Sequence, residues 1–434
     1  MTRSSVVDGG APPAALRNIL TALLLVLLPA IAWRKVILKS LLEQPQTCEA
    51  LNLAVTQGNV GAYNRATLAL NYQEHGFIRR GLGGTLLEWV DSSPLAACVD
   101  QLLVLHLLSA IWLTIPLVLL VRRMMDQDWR RGAWFALLLA ASPQLFMAWG
   151  GDLGRIDMFI GGCLAWGVLA VLHQRLWVAV GSLLLGFLAH ETSILYGVPL
   201  LAALHLHRHG RAGLRTMYLP AAVLIGGTFL IAIGNFALTS ASSQDIVNSI
   251  VRSQAPSKER DFAAYVAVDS AKGLVTSLCR GVGKAATPFY LAWALGLIAL
   301  YAWLLWVRFK KALVLPYALA TVLPFVMLSL VAIDYGRWLS FAILNAWLFT
   351  AAMIPAGERQ QSRKSIVLRL IVLGGLIAMR PSHVQLPSYF AKTVAERLWS
   401  KKATQGKTTE ECDPSWRASI GLPANTGYSE RPPD

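Results

Sequence analysis

The stretch Trp177–Leu204, WVAVGSLLLGFLAHETSILYGVPLLAAL, decides the fold. Apart from a few hydroxyls it is apolar throughout, and His190 and Glu191 interrupt it at the middle. It is too long for one ordinary crossing of about 30 Å of hydrocarbon and too short for two full ones. Its flanks are basic, with Arg175 before it and Arg208, Arg211 and Arg215 after it. Basic residues beside apolar runs mark the cytoplasmic side of a membrane protein. A segment that starts and ends on one side must turn back, so the stretch predicts a hairpin of two short helices with His190-Glu191 at its tip. Helices of about 14 residues rise only about 21 Å, which leaves that tip in a recess below the outer surface.

Working outward, further apolar runs lie at 18–36, 101–121, 132–149, 157–172, 217–237, 287–307, 312–332, 338–355 and 365–379. The chain is 55% apolar over 434 residues with a mean hydropathy of +0.50, more apolar surface than one soluble core holds. The expected fold class is therefore an all-α polytopic transmembrane bundle of about 11 spans with its N-terminus inside. Lys and Arg outnumber Asp and Glu by 39 to 24. They sit in short clusters between apolar runs, so they mark topology and nucleic acid is not expected as a partner. Residues 1–16 read as a cytoplasmic N-terminus and 17–380 as a transmembrane domain with outer loops at about 38–99 and 238–286. Residues 381–434 read as a polar, disordered tail. Leu20–Ala32 with Ala30-Ile31-Ala32 also has the form of a signal peptide, whose cleavage would remove one span. The expected location is the inner membrane of a bacterial-type cell.

Four charged clusters interrupt the apolar pattern, and this topology puts all of them on the outer face. They are Glu74-His75-Gly76-Phe77-Ile78-Arg79-Arg80-Gly81, Gly151-Asp152-Leu153-Gly154-Arg155-Ile156-Asp157, His190-Glu191 and Asp334-Tyr335-Gly336-Arg337-Trp338. Ionisable groups at headgroup depth are rare unless paired or functional. A mixture of acids and arginines suits an anionic substrate held by guanidinium forks while a carboxylate removes a proton from a hydroxyl. Glu74, Asp152 and Asp157 are the candidate bases. Arg79, Arg80, Arg155 and Arg337 are the candidate phosphate ligands, with His75, His190, Glu191, Asp334 and Tyr335 lining the site. Each cluster also has a plain structural reading. Consecutive arginines anchor an amphipathic helix to headgroups, Gly151 and Gly154 make a turn with Asp157 at the next helix start, and Asp334 and Arg337 pair locally three residues apart. His205, His207 and His209 read as a solvated interfacial segment rather than a metal site.

This arrangement resembles the GT-C superfamily of integral-membrane glycosyltransferases over roughly residues 15–355. The resemblance rests on the large first outer loop, the acids on the first two outer loops, and Gly186-Phe187-Leu188-Ala189-His190-Glu191 through Pro199. It implies a polyprenyl-phosphate-sugar donor entering from the membrane lipid, a glycan, lipid or protein acceptor from the outer side, and a carboxylate base. A lipid phosphate is already a good leaving group, so no metal or cofactor is expected. The chain departs from the family in one respect: Glu43 and Glu49 behind the first span are isolated, where the family usually has its key acid, often an acidic pair. A polymerase or ligase of lipid-linked glycans would use the same groups. A transporter or flippase would place them near the bilayer midplane on broken helices.

Five cysteines occur, Cys48, Cys98, Cys163, Cys279 and Cys412. Cys48 and Cys98 lie near opposite ends of one outer loop facing an oxidising compartment, which makes them a candidate disulfide pair, the alternative being two free thiols.

Overall fold

The computed structural model describes residues 14–43, 66–76, 81–91, 101–140, 156–237, 242–252, 258–268, 272–273, 275–276, 279–280, 287–305, 311–331, 335–353, 397–398 and 408–421. Regular structure among them is helical, with no β-strand. The turn at His190-Glu191 is present. Helix α7, Leu176–Ala189, ends where His190 turns extended (φ −170°, ψ 140°) and its N–H donates back to the Gly186 carbonyl. Helix α8, Thr192–Ala237, starts immediately after and is broken into two arms at Gly210 (φ 56°, ψ −143°), a conformation that glycine adopts without a Cβ penalty.

The apolar runs elsewhere are helices as well. They are α1 (Ala14–Glu43), α4 (Gln101–Gln127), α5 (Trp129–Ala140), α6 (Asp157–Leu172), α11 (Thr287–Leu305), α12 (Lys311–Val331) and α13 (Tyr335–Met353). Gln101–Gln127 and Ala212–Gly234 are long and apolar enough to cross a membrane, while Arg17–Ala30, Asp157–Leu172, Leu176–Ala189, Pro288–Trp303 and Leu313–Ser329 are apolar but shorter. The expected run at 365–379 lies outside the described residues.

Helix α6 is the centre of the bundle because it is apolar all round, with only Phe159 and Trp166 short of full burial. It packs on α4, α7 and the first arm of α8, and α13 packs on α11, α12 and α8. Close approach depends on missing side chains: a Cβ on Gly162 would lie 2.1 Å from Trp112 Cδ1. Polar groups then fix the register. Asn345 Nδ2 on α13 donates to the carbonyls of Tyr196 on α8 (2.9 Å) and Ala320 on α12 (2.7 Å). Trp347 Nε1 donates to Phe135 O on α5.

A second, smaller core lies beside the bundle. Helix α9 (Ser243–Arg252) puts Ile246, Val247 and Ile250 against Ala263, Ala264 and Tyr265 of α10 (Lys258–Val268), and against Ala66 and Leu70. Trp416 and Ile420 complete it. Residues 408–421 thus depart from the disorder expected of the tail. Helix α14 (Thr409–Cys412) opens with a capping box between Thr408 and Glu411, Tyr265 Oη donates to Asp413 Oδ2 at 2.8 Å, and Cys412 is disulfide-bonded to Cys279 with Cα atoms 5.9 Å apart. The segment is ordered because the bond and the burial of Trp416 offset the entropy that its polar composition would otherwise keep. Cys48 and Cys98 lie outside the described residues, and Cys163 is a buried free thiol.

Two short helices connect this lobe to the bundle. Helix α2 (Tyr72–His75) is capped by Asn71, whose side chain accepts from Glu74 N. Helix α3 (Gly81–Asp91) receives it, with Tyr72 N donating to Thr85 Oγ1 at 2.9 Å. A Cβ on Gly84 would sit 2.1 Å from the Leu70 carbonyl oxygen, so that contact admits only glycine.

The lobe should therefore depend on its tail. Cys412→Ser should cost about 2–5 kcal/mol, read as a lower melting temperature of the lobe and as loss of the Cys279–Cys412 peptide in non-reduced maps. Ser415 and Tyr265 hydrogen bonds hold the Asp413 carboxyl below its ordinary value. Its contribution is therefore complete above the ordinary carboxylate pKa and is lost only as pH falls through the lower folded value. Protection factors for amide exchange at 408–421, taken relative to the intrinsic rate at each pH, should stay constant from neutral pH down to about pH 4 and fall below it; a fall between pH 5 and 7 would contradict this assignment.

Candidate functional site

Three helix ends meet at one end of the bundle. Asp157 stands in the first turn of α6 and Arg337 in the first turn of α13, while the hairpin tip carries His190 and Glu191 between α7 and α8. The N-termini of α6, α8 and α13 each present the positive end of a helix dipole, so a carboxylate at the start of α6 is electrostatically favoured. Arg337 completes its neutralisation. The guanidinium lies side-on, with Nε donating to Asp157 Oδ1 at 2.8 Å and Oδ2 at 2.7 Å and Nη2 donating to Oδ1. The Asp157 and Arg337 side chains are 1% and 11% exposed. The structure thus brings the two candidates together, with the expected base and the expected phosphate ligand bound to each other.

Aromatic groups hold the pair in place. The Arg337 Cζ lies 4.9 Å from the centroid of the Trp338 ring, and that ring faces His190 at a centroid separation of 6.3 Å. Tyr196 Oη, one turn into α8, donates to the Trp338 carbonyl at 2.7 Å. His190 is 5% exposed and closes both helices of the hairpin. Its backbone N–H caps α7 and its Nδ1 accepts from Thr192 N at 3.2 Å, with the Thr192 hydroxyl at 2.8 Å. Nδ1 is therefore the acceptor nitrogen of the ring, and the tautomer with hydrogen on Nε2 fits. Glu191 Oε2 lies 3.5 Å from the same nitrogen, and its side chain is 34% exposed. Of the acids described at this end, Glu191 is the one open to water.

The cluster beginning at Glu74 reaches the site through its helix. A Cβ on Gly83 would sit 3.2 Å from Ile156 Cδ1, so α3 rests against the residue preceding Asp157. His75 itself has a structural role: it is 1% exposed, and its Nε2 is 2.9 Å from Ser249 Oγ on α9. Glu74 is exposed on α2. Arg79, Arg80, Asp152, Arg155 and Asp334 lie outside the described residues, as does the Tyr335 side chain. Among the described residues no group of three or more His, Cys, Asp or Glu could hold a metal ion.

The sequence reading does not single out Tyr196 or Asn345; each is a polar group flanked by apolar residues on its helix, the one signal that could mark them. Comparison with protein-family models, curated protein sequences and solved structures finds no match to this chain.

Removing one partner of a buried pair leaves the other charge uncompensated, at a cost of about 3–5 kcal/mol. Asp157→Asn and Arg337→Gln should each lower stability by about that amount, and the double variant should lose clearly less than the sum. Additive losses in a denaturation series would mean that the two groups do not interact.

Proposed function

We propose that this chain is a polytopic integral-membrane glycosyltransferase of about 11 spans. It moves a sugar from a polyprenyl-phosphate donor to a glycan, lipid or protein acceptor on the outer face of a bacterial-type inner membrane. The observation that carries the reading is the buried Asp157–Arg337 pair at the start of α6 and α13, beside the tip of a hairpin of short helices. A guanidinium suited to phosphate and a carboxylate able to accept a proton stand within one hydrogen bond of each other.

Supporting features concern membrane and orientation. The Ala212–Gly234 arm of α8 is apolar yet only 11% buried, with Leu219, Ile225, Phe229 and Leu230 facing outward, an arrangement that suits a lipid environment. The Cys279–Cys412 bond requires both cysteines on one side, and a disulfide persists on the oxidising side. That is the side to which the basic-residue pattern assigns the 238–286 loop and the tail.

In the proposed reaction Arg337 exchanges Asp157 for the donor phosphate. The freed carboxylate takes the proton of the acceptor hydroxyl, whose oxygen attacks the anomeric carbon. The bond from that carbon to the phosphate oxygen breaks, and the lipid phosphate leaves with its negative charge on the guanidinium. Glu191 and the Trp338 ring border the acceptor side.

With purified chain and a polyprenyl-phosphate sugar, Asp157→Asn should lower transfer by about 10²–10⁴-fold while retaining donor binding, and donor should raise its melting temperature more than that of the natural chain. Arg337→Lys should weaken donor binding instead. Full activity in Asp157→Asn, with Glu74→Gln and Asp152→Asn equally active, would sink the base assignment. Movement of an intact lipid-linked substrate without glycosidic chemistry would point to a flippase.

A further inference from the structure

The opposite end of the central helix carries charges that this chemistry does not use. Arg208, on the first arm of α8, donates from Nη1 to the carbonyls of Val171 (3.1 Å) and Leu172 (2.6 Å) and so covers the last turn of α6. A cation there complements the negative end of the helix dipole. Arg123 comes from α4, which packs along α6. It is half-buried; Trp112 of the same helix lies against Gly162 and sets α4 alongside α6, and the positive charge of Arg208 acts on Arg123. Among the described residues no carboxylate is paired with either arginine. Asp126, one turn further along α4, is engaged by Arg17. His173, which caps α6, and Arg122 are exposed at the rim.

Two guanidiniums brought together without an acid are stabilised by an anion placed between them, and their planar forks match the oxygens of a phosphate group. Basic pockets between membrane helices on the cytoplasmic side are where phospholipid headgroups are held. We infer that Arg123 and Arg208, with His173 at the rim, form a phosphate-binding site where α4, α6 and α8 meet, at the end of the bundle opposite Asp157. The phosphate is that of an anionic lipid headgroup or of a small free phosphate. The inference rests on the membrane reading of the chain and is independent of sugar transfer.

The test uses the full chain in a zwitterionic detergent. Binding of dioleoylphosphatidylglycerol and of dioleoylphosphatidylcholine is measured by native mass spectrometry, and a parallel arm titrates inorganic phosphate by thermal shift. Arg123→Gln is the informative variant, because Arg123 makes no hydrogen bond to the described residues whereas Arg208 also caps α6. Arg215→Gln, on the far side of Gly210, is the control for general surface charge. One equivalent of phosphatidylglycerol should bind at least about tenfold more tightly than phosphatidylcholine, and Arg123→Gln should remove about a tenfold share of that affinity. Arg215→Gln should leave it unchanged. A saturable shift with inorganic phosphate that Arg123→Gln abolishes, without lipid preference, would support the site and assign it to a small phosphate. Equal behaviour of natural chain and Arg123→Gln in both arms overturns the inference, as does a loss in Arg215→Gln as large as in Arg123→Gln.

Discussion

A carboxylate and a guanidinium removed from water at the start of two helices, Asp157 on α6 and Arg337 on α13, set the arrangement of the bundle end around them. Each charge alone would be costly when buried, so neither helix start is stable there without the other. The pair joins the helix at the centre of the core to the helix that Asn345 fastens to α8 and α12. Trp338 follows Arg337 in sequence, so the same contact brings its indole against His190 and its carbonyl to the Tyr196 hydroxyl. The hairpin tip, the start of α6 and the start of α13 are in this way one structure.

A buried ion pair of this kind contributes specificity of arrangement more than net stability, because desolvation offsets much of its Coulomb attraction. That balance is also what makes it exchangeable. An anion offering oxygens in the same plane can replace the carboxylate on Arg337 at modest cost, and the proposed transfer chemistry relies on that exchange. The smaller lobe stands next to this end. Its α2 and α3 run from the His75–Ser249 contact to Ile156, beside Asp157, and its tail clasp is closed covalently by Cys279 and Cys412. Order in the lobe thus extends, contact by contact, to the start of α6.

Much of the helical layout was legible in the sequence, since apolar runs bounded by charges carry their own periodicity and ends. The hairpin tip at His190-Glu191 followed from length and flanking charge alone. The partner of Arg337 did not. Asp157 lies 180 positions away in the chain, and no pattern within either helix encodes that meeting; the local spacing of Asp334, three residues before Arg337, falls outside the described residues. The disulfide shows the same limit, its cysteines standing 133 positions apart. Composition reports the polar residues of 408–421, but not that Trp416 and Ile420 have a core to enter. The hydrogen bond of His75 to Ser249 on α9 is likewise invisible until α9 is placed beside it.

In the proposed transfer Arg337 trades Asp157 for a phosphate. A structure of the chain in a lipid nanodisc with a non-transferable phosphonate analogue of a polyprenyl-phosphate sugar would show this exchange. The phosphonate oxygens should lie within hydrogen-bond distance of the Arg337 guanidinium, with the Asp157 carboxylate released toward the sugar. An analogue bound elsewhere, with the Asp157–Arg337 pair intact, would contradict it.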